Sequence, residues 1–113
     1  ASLGPVRIEP PPIVVGGTSD GVLAAAAAHA DGWNASSVEA DRFAELAARL
    51  DELAGDRRVG RQVQLWFREV GLDGARAARD RFEDAGADTL LFVLDDERDP
   101  DTIARLADIV RPG

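Results

Sequence analysis

The sequence predicts an α/β protein in which four βα units follow one another in a single domain, residues 1–113. Short apolar stretches alternate with longer amphipathic ones, an order that implies a parallel sheet. Two of the strands are continuous apolar runs, which is typical of strands buried on both faces. Because a complete (βα)₈ barrel takes about 250 residues, four units in 113 residues predict half of such a barrel.

The first unit begins where a proline run leads into residues 13–15, three apolar residues that end at Gly16 and Gly17. Proline excludes helix here, so we expect a short, fully buried strand. Residues 18–20 are of the type that caps a helix, and the alanine-rich stretch after them predicts a slim helix that lies close to the sheet.

The second unit is the least clearly marked. Residues 31–34 interrupt the helical pattern, and we interpret them as the end of a second strand. Ser36 and Glu39 have the spacing of a capping box ahead of the next helix. Apolar residues at steps of three and four predict a solvent-facing amphipathic helix that ends near Gly55. These residues are Phe43, Leu46, Leu50 and Leu53.

The third unit is predicted as a strand over residues 63–70, where β-branched and aromatic residues are frequent. Residues 71–74 form a turn, and the helix that follows ends at Gly86, which occupies the position of a C-terminal cap. The predicted buried face of this helix consists of Ala75, Ala78, Phe82 and Ala85.

The fourth unit combines an unbroken apolar strand over residues 89–94 with a short final helix. Asp99 is the predicted N-cap and Pro100 the first helical residue, a position that suits proline because its missing N–H costs nothing there. The apolar stripe of this helix is Ile103, Leu106, Ala107 and Val110.

Composition excludes several classes of function. The formal net charge is −8, so we expect neither nucleic acid nor an anionic membrane as a partner. Cysteine is absent and His29 is the single histidine, which excludes disulfides, thiol catalysis and a histidine-rich metal site. We expect His29 to be exposed. The first residues do not resemble a secretory signal, and we expect a cytoplasmic location.

The main candidate site follows the first strand, because ligands of parallel α/β folds bind at the carboxyl ends of the strands. Gly16 and Gly17 would let the backbone approach an oxyanion, and Thr18 and Ser19 add hydroxyl donors at the positive end of a helix. This pattern favours a phosphate-binding turn. The alternative is that the glycines serve only a sharp turn.

Three further predicted strand ends carry candidate residues. Trp33 and Asn34 place an aromatic ring and an amide at the second, where Trp33 is either a ligand contact or a core residue. Arg68 and Glu69 end the third, and alternation sends at most one of them into the barrel. The fourth carries an acidic run, which we attribute to capping and solvation rather than to a metal. The run is Asp95, Asp96, Glu97, Asp99 and Asp101.

The segment PPPIVVGGTSDGVLAAAAAHADGWN resembles the middle of luciferase-like flavin- and deazaflavin-dependent monooxygenases, where a proline-led strand ends in a glycine pair and the next ends in ADGW. Downstream, AARDRFEDAGADTLLFVL and DPDTIARLADIVRP resemble the last helix, strand and helix of that family. The resemblance spans almost the whole chain but only the second half of the family barrel, strands 5–8.

This resemblance implies an oxidoreductase that binds a deazaflavin coenzyme or FMN, with the coenzyme phosphate near Gly16, Gly17, Thr18 and Ser19 and with Trp33 and Asn34 beside the same pocket. The coenzyme ring would carry out a two-electron redox step on a small-molecule substrate. The ADGWN form is closer to the deazaflavin branch. No residue is assigned a catalytic role.

The departure from the family is the missing amino-terminal half, which in relatives supplies the ring platform and much of the substrate pocket. Three interpretations follow. The chain is one part of a split enzyme completed by a complementary half-barrel chain, or it pairs with itself as a coenzyme-binding module, or it is a non-catalytic remnant that retains only a protein interface.

Overall fold

The predicted alternation of strands and helices is confirmed. A computed structural model describes residues 12–94 and 99–111, so the expectations for the start of the proline run and for Asp95, Asp96 and Glu97 lie outside the described residues. Four parallel strands form one sheet in the order β1-β2-β3-β4, and a helix follows each strand. The elements are β1 Val14–Gly16, α1 Asp20–His29, β2 Gly32–Ser36, α2 Ala40–Ala54, β3 Gly60–Trp66, α3 Phe67–Asp84, β4 Thr89–Val93 and α4 Pro100–Val110.

The helices cover one face of the sheet. Right-handed crossovers between strands that follow in sequence order leave all helices on the same side. In β3, Arg61, Val63 and Leu65 are buried, while Gln62 and Gln64 between them are only partly buried. Val63 and Leu65 belong to the core that α1, α2 and α3 share, so β3 alternates between a covered face and a bare one.

The strand register extends this bare face across the whole sheet. We call it the open face. Its members are Val14, Gly16, Gly32, Asn34, Ser36, Gly60, Gln62, Gln64, Trp66, Thr89, Leu91 and Val93. Only Gly32 among them is buried, and none carries a charge, although 30% of the residues of the chain are charged.

Aromatic rings form the centre of the core. Trp33 of β2 stacks on Phe43 of α2 with ring centroids 5.2 Å apart, and Phe82 of α3 meets Phe43 edge-on at 5.8 Å. The apolar stripes predicted for α2 and α3 therefore do face the sheet. Leu53, the last residue of the α2 stripe, is 38% exposed, so the stripe is buried only as far as Leu50.

The expectation that the first strand is fully buried is wrong. Val14 is 45% exposed, and only Val15 packs against the core. The reason is position in the sheet, since β1 is an edge strand and Val14 and Gly16 belong to the open face. An apolar run in the sequence gives no information about which of its faces is covered.

The second unit also differs from prediction. Residues 31–34 begin the strand rather than end it, since β2 starts at Gly32 and runs to Ser36. The capping box does not form. Ser36 is still paired in the sheet, and α2 begins after Glu39 without a side-chain hydrogen bond at its N-cap. The chain instead turns through Ser37, whose φ is 55°.

The third strand is shorter and earlier than the predicted residues 63–70. Residues 60–66 pair with β2 and β4, and the partner strands end at Ser36 and Val93, so nothing remains to pair with residues 67–70. Those residues form a helical segment that Gly71, with φ 68° and ψ 173°, separates from the rest of α3. Arg68 and Glu69 consequently lie in the first helical turn and not at a strand end.

Several predicted helix ends are confirmed. The hydroxyl oxygen of Ser19 accepts a hydrogen bond from the backbone N–H of Val22, 3.2 Å away. Asp99 accepts one from the N–H of Asp101 at 3.0 Å, with Pro100 as the first residue of α4. Gly86, with φ 99°, follows the end of α3. Such caps depend on residues within one turn of the chain, which is why sequence reveals them.

Charged side chains tie the amino ends of the strands together. Asp88 accepts hydrogen bonds from the guanidinium of Arg58 at 2.8 Å and from the backbone N–H of Arg61 at 3.0 Å. The Arg61 side chain is buried and pairs with Asp51 of α2, while its Nε has no partner within the described residues. These contacts lie at the opposite end of the sheet from the predicted site.

Candidate functional site

The residues predicted to bind a coenzyme lie together at one corner of the sheet. Gly16 ends β1 and is in register with Asn34 of β2. The backbone N–H of Gly17 donates to the carbonyl oxygen of Asn34 at 3.0 Å, and the indole N–H of Trp33 donates to the carbonyl of Gly17 at 2.7 Å. Thr18 and Ser19 continue from this turn into α1. We call Gly16, Gly17, Thr18 and Ser19 the glycine turn.

Trp33 holds the glycine turn from the covered side of the sheet. Its side chain is 0% exposed and stacks on Phe43, so within the described part of the chain its ring offers no surface to a ligand. Of the two interpretations raised by the sequence, this geometry favours the core residue. The hydrogen bond to Gly17 nevertheless connects that core residue to the turn.

The backbone conformation and the surroundings of Gly17 leave no room for a side chain. Its φ is 138°, and a Cβ built there would lie 3.1 and 3.2 Å from the two methyl groups of Val22. Both backbone polar groups of Gly17 are already bonded to β2. Gly17 therefore serves the sharp turn, and hydrogen bonds to an anion would have to come from the residues that follow it.

The donors left for an anion are those that begin α1. The Ser19 hydroxyl oxygen accepts the N-cap hydrogen bond, which leaves its O–H as a donor, and the Thr18 side chain is exposed and makes no hydrogen bond to the described residues. The first N–H groups of a helix have no partner within the helix, and they carry its positive end. Asp20 in the first turn places a carboxylate at the same end, where it competes with a bound anion.

A row of amides lies on the open face, in which Asn34 was predicted as a site residue and Gln62 and Gln64 were not. The side-chain N–H of Asn34 donates to the side-chain carbonyl of Gln62 at 3.3 Å, and Gln64 lies two residues nearer the carboxyl end of β3. The alternation in RQVQLW carried this signal. Amides donate and accept without charge, which suits a neutral ring with carbonyl and N–H edges.

The other candidate residues lie away from this corner of the sheet. Arg68 is exposed at the start of α3, with its guanidinium carbon 5.1 Å from the centre of the Trp66 ring, and Glu69 is exposed beside it. Asp99 caps α4. Within residues 12–94 and 99–111, no group of three or more metal-ligating side chains occurs. His29 is exposed, as predicted.

Two cavities lie away from the glycine turn. One of about 490 Å³ opens at the amino end of β4 between α3 and α4, with Phe82, Asp88 and Val110 in its walls. The other, of about 170 Å³, lies between the start of α2 and α3, lined among others by Ser37 and Arg81. Only the smaller one is at the carboxyl end of the sheet, where ligands of parallel α/β folds bind.

No helix among the described residues combines the length and apolar character that crossing a bilayer requires. Comparison of the chain with protein-family models, with curated proteins and with solved structures found no match.

Proposed function

We propose that this chain is the coenzyme-phosphate half of a luciferase-like (βα)₈ oxidoreductase that uses a deazaflavin coenzyme or FMN. The observation that carries the proposal is the bonded unit that the glycine turn, at the carboxyl end of β1, forms with Trp33 and Asn34 of β2. These residues belong to the first of the three segments that carry the family resemblance. We retain the cytoplasmic location expected above as part of this proposal.

The sheet supports the half-barrel part of the proposal. A doubly wound sheet has helices on both faces, whereas a barrel has them on one. Strand order β1-β2-β3-β4 with one covered face agrees with the barrel. The uncharged open face would then be part of the barrel interior, and another four strands would close it.

Each residue of the site would have a limited role. The Thr18 hydroxyl and the amides that begin α1 would hold the coenzyme phosphate, and Trp33 would position the turn from behind. Asn34 and Gln62 would face the interior near the ring. The coenzyme supplies the redox chemistry, and the protein contributes orientation, hydrogen bonds and exclusion of water.

The test compares FMN with riboflavin, which has the same ring and no phosphate. The chain is titrated with both, and with the deazaflavin coenzyme, by fluorescence. Thr18→Val keeps the shape of the side chain and removes the donor, and loss of one hydrogen bond to a charged group corresponds to about tenfold weaker FMN binding. Riboflavin binding should not change.

Equal affinity of the unchanged chain for FMN and riboflavin would contradict phosphate binding at the glycine turn. Absence of binding by any of the three ligands would refute the coenzyme function altogether. Circular dichroism of Thr18→Val is the folding control, and it should match the parent because the Thr18 side chain is exposed and makes no hydrogen bond to the described residues.

A non-catalytic half-barrel that associates with itself is the second candidate. Two observations favour it. Asp20 opposes an anion at the start of α1, and the edge strands bear no charged side chain that would prevent pairing with another chain. Such a module would bind coenzyme without turnover, or would bind only a protein partner.

A further inference from the structure

The open face and the two edges of the sheet form one continuous uncharged surface. Projecting charges and prolines are the usual protection of an exposed strand edge. Neither β1, with the sequence VVG, nor β4, with TLLFV, contains one. Leu91 at the centre of β4 is 40% exposed on the open face. Parallel sheets are found with both faces covered, so this surface needs a cover.

The free backbone N–H and C=O groups along the β4 edge can pair with those along the β1 edge of another copy. In a parallel ladder, alternate residues of a strand direct both backbone polar groups to the same side. The register and the hydrogen bonds between neighbouring strands leave Val14 and Gly16 of β1 and Leu90 and Phe92 of β4 with their backbone groups directed away from the sheet. A β4 edge can therefore continue a parallel sheet at a β1 edge of another copy.

Charge favours contact between two copies through the open face over contact through their helical surfaces. Each copy carries a formal charge of −8, so contacts through charged helical surfaces meet repulsion. The open face presents no charge to a copy of itself. A two-fold axis along the strands would bring β4 beside β1 of the partner twice and would direct all eight carboxyl ends to one rim.

We propose that a second copy of this chain covers the open face, with β4 of each protomer paired in parallel to β1 of the other to close an eight-stranded barrel. This inference rests on the half-barrel part of the proposed function. It names a second copy, rather than a complementary half-barrel chain, as the partner that closes the barrel. The glycine turn of one protomer then adjoins the carboxyl end of β4 of the other. The candidate site is completed by residues from both.

The interface is of modest size. The sheet of one copy is four strands wide, at about 4.8 Å per strand, and about five residues long, at about 3.3 Å per residue. Its projected area is therefore about 300 Å² per copy. Stable interfaces bury about 1,200–2,000 Å² in total, so the two edge seams and their flanking helices must contribute as well. Disrupting a seam should therefore shift the dimer to monomers.

The first experiment measures mass in solution at about 100 µM chain, where the protein should have twice the mass of one chain. Leu91→Arg inserts a charge into the open face beside the seam, and this variant should be monomeric. Leu53→Arg is the matched control, because Leu53 is 38% exposed on α2, away from the sheet edges. The control should remain dimeric, and both variants should keep their circular dichroism.

The second experiment tests which edges meet. The chain contains no cysteine, so Val14→Cys and Leu91→Cys chains carry one thiol each. Within a protomer these positions are three strand spacings apart, about 14 Å, too far for a disulfide. On mixing and oxidation, the closed barrel should give the mixed disulfide and little of either symmetric one. Thr89→Cys and Val93→Cys cover the other possible registers across the seam.

A monomer at this concentration would overturn the second-copy proposal, as would a dimer linked mainly through two Leu91→Cys positions. Coenzyme binding is measured on the same samples. A monomer that binds FMN more tightly than riboflavin would refute the second-copy proposal and support the proposed coenzyme site. A cross-linked dimer without coenzyme affinity supports the barrel closure and refutes the coenzyme function.

Discussion

The connection between Trp33 and the glycine turn gives the sharpest test of how the site is built. Trp33→Phe keeps an aromatic ring against Phe43 and removes the indole N–H that bonds the Gly17 carbonyl at 2.7 Å. Loss of this buried hydrogen bond costs about 1.5 kcal/mol. The smaller ring leaves a gap that costs about 1 kcal/mol more.

We therefore expect the free energy of unfolding to fall by about 2.5 kcal/mol and Tm by about 10 °C for a chain of this length. Urea denaturation gives the free energy, and an unchanged slope would show that the same surface is exposed on unfolding. Because the turn loses its support, Trp33→Phe should also weaken FMN binding more than riboflavin binding.

Trp66→Phe is the matched control. Trp66 lies partly buried on the open face, and its indole nitrogen makes no hydrogen bond within the described residues. Its replacement should cost less than about 1 kcal/mol, as partly exposed substitutions do. If the two variants lose the same stability, the bond between Trp33 and Gly17 contributes nothing measurable and the reasoning is wrong.

Two further predictions concern the neighbouring turn and the opposite end of the sheet. Gly17→Ala should lower the free energy of unfolding in urea by more than about 1 kcal/mol, because the new Cβ would press on Val22. Gly16→Ala should be nearly neutral, because a Cβ there makes only ordinary contacts. A larger loss for Gly16→Ala than for Gly17→Ala would contradict the geometry of the turn. At the amino end, Asp51→Ala should cost more stability than Arg61→Met, since it leaves a buried guanidinium without its counter-charge, and equal Tm values for the two variants would contradict this assignment.

Part of the candidate site could be identified from sequence and part could not. The glycine turn was recognisable because its glycines and its capping residue are consecutive in the chain. The link from Gly17 to Trp33 joins residues 16 positions apart and depends on β1 pairing with β2. The contact between Asn34 and Gln62 spans 28 positions and depends on a further strand pair.

The sequence by itself determined the order of the elements, the parallel sheet and most helix ends. Helical stripes and caps arise from residues within one or two turns of each other, so local spacing suffices to predict them. The stripe of α2, the caps at Ser19 and Asp99 and the glycine after α3 are all in place.

Only the tertiary structure decided where the strands end, which face of the sheet is covered and on which side Trp33 lies. A strand ends where its neighbours stop pairing, which is why residues 67–70 became helical despite their β-type composition. Burial depends equally on position: the same apolar character leaves Val14 exposed on an edge and Val63 fully buried in the middle of the sheet. Both outcomes are set by residues far away in the chain, and no local pattern encodes them.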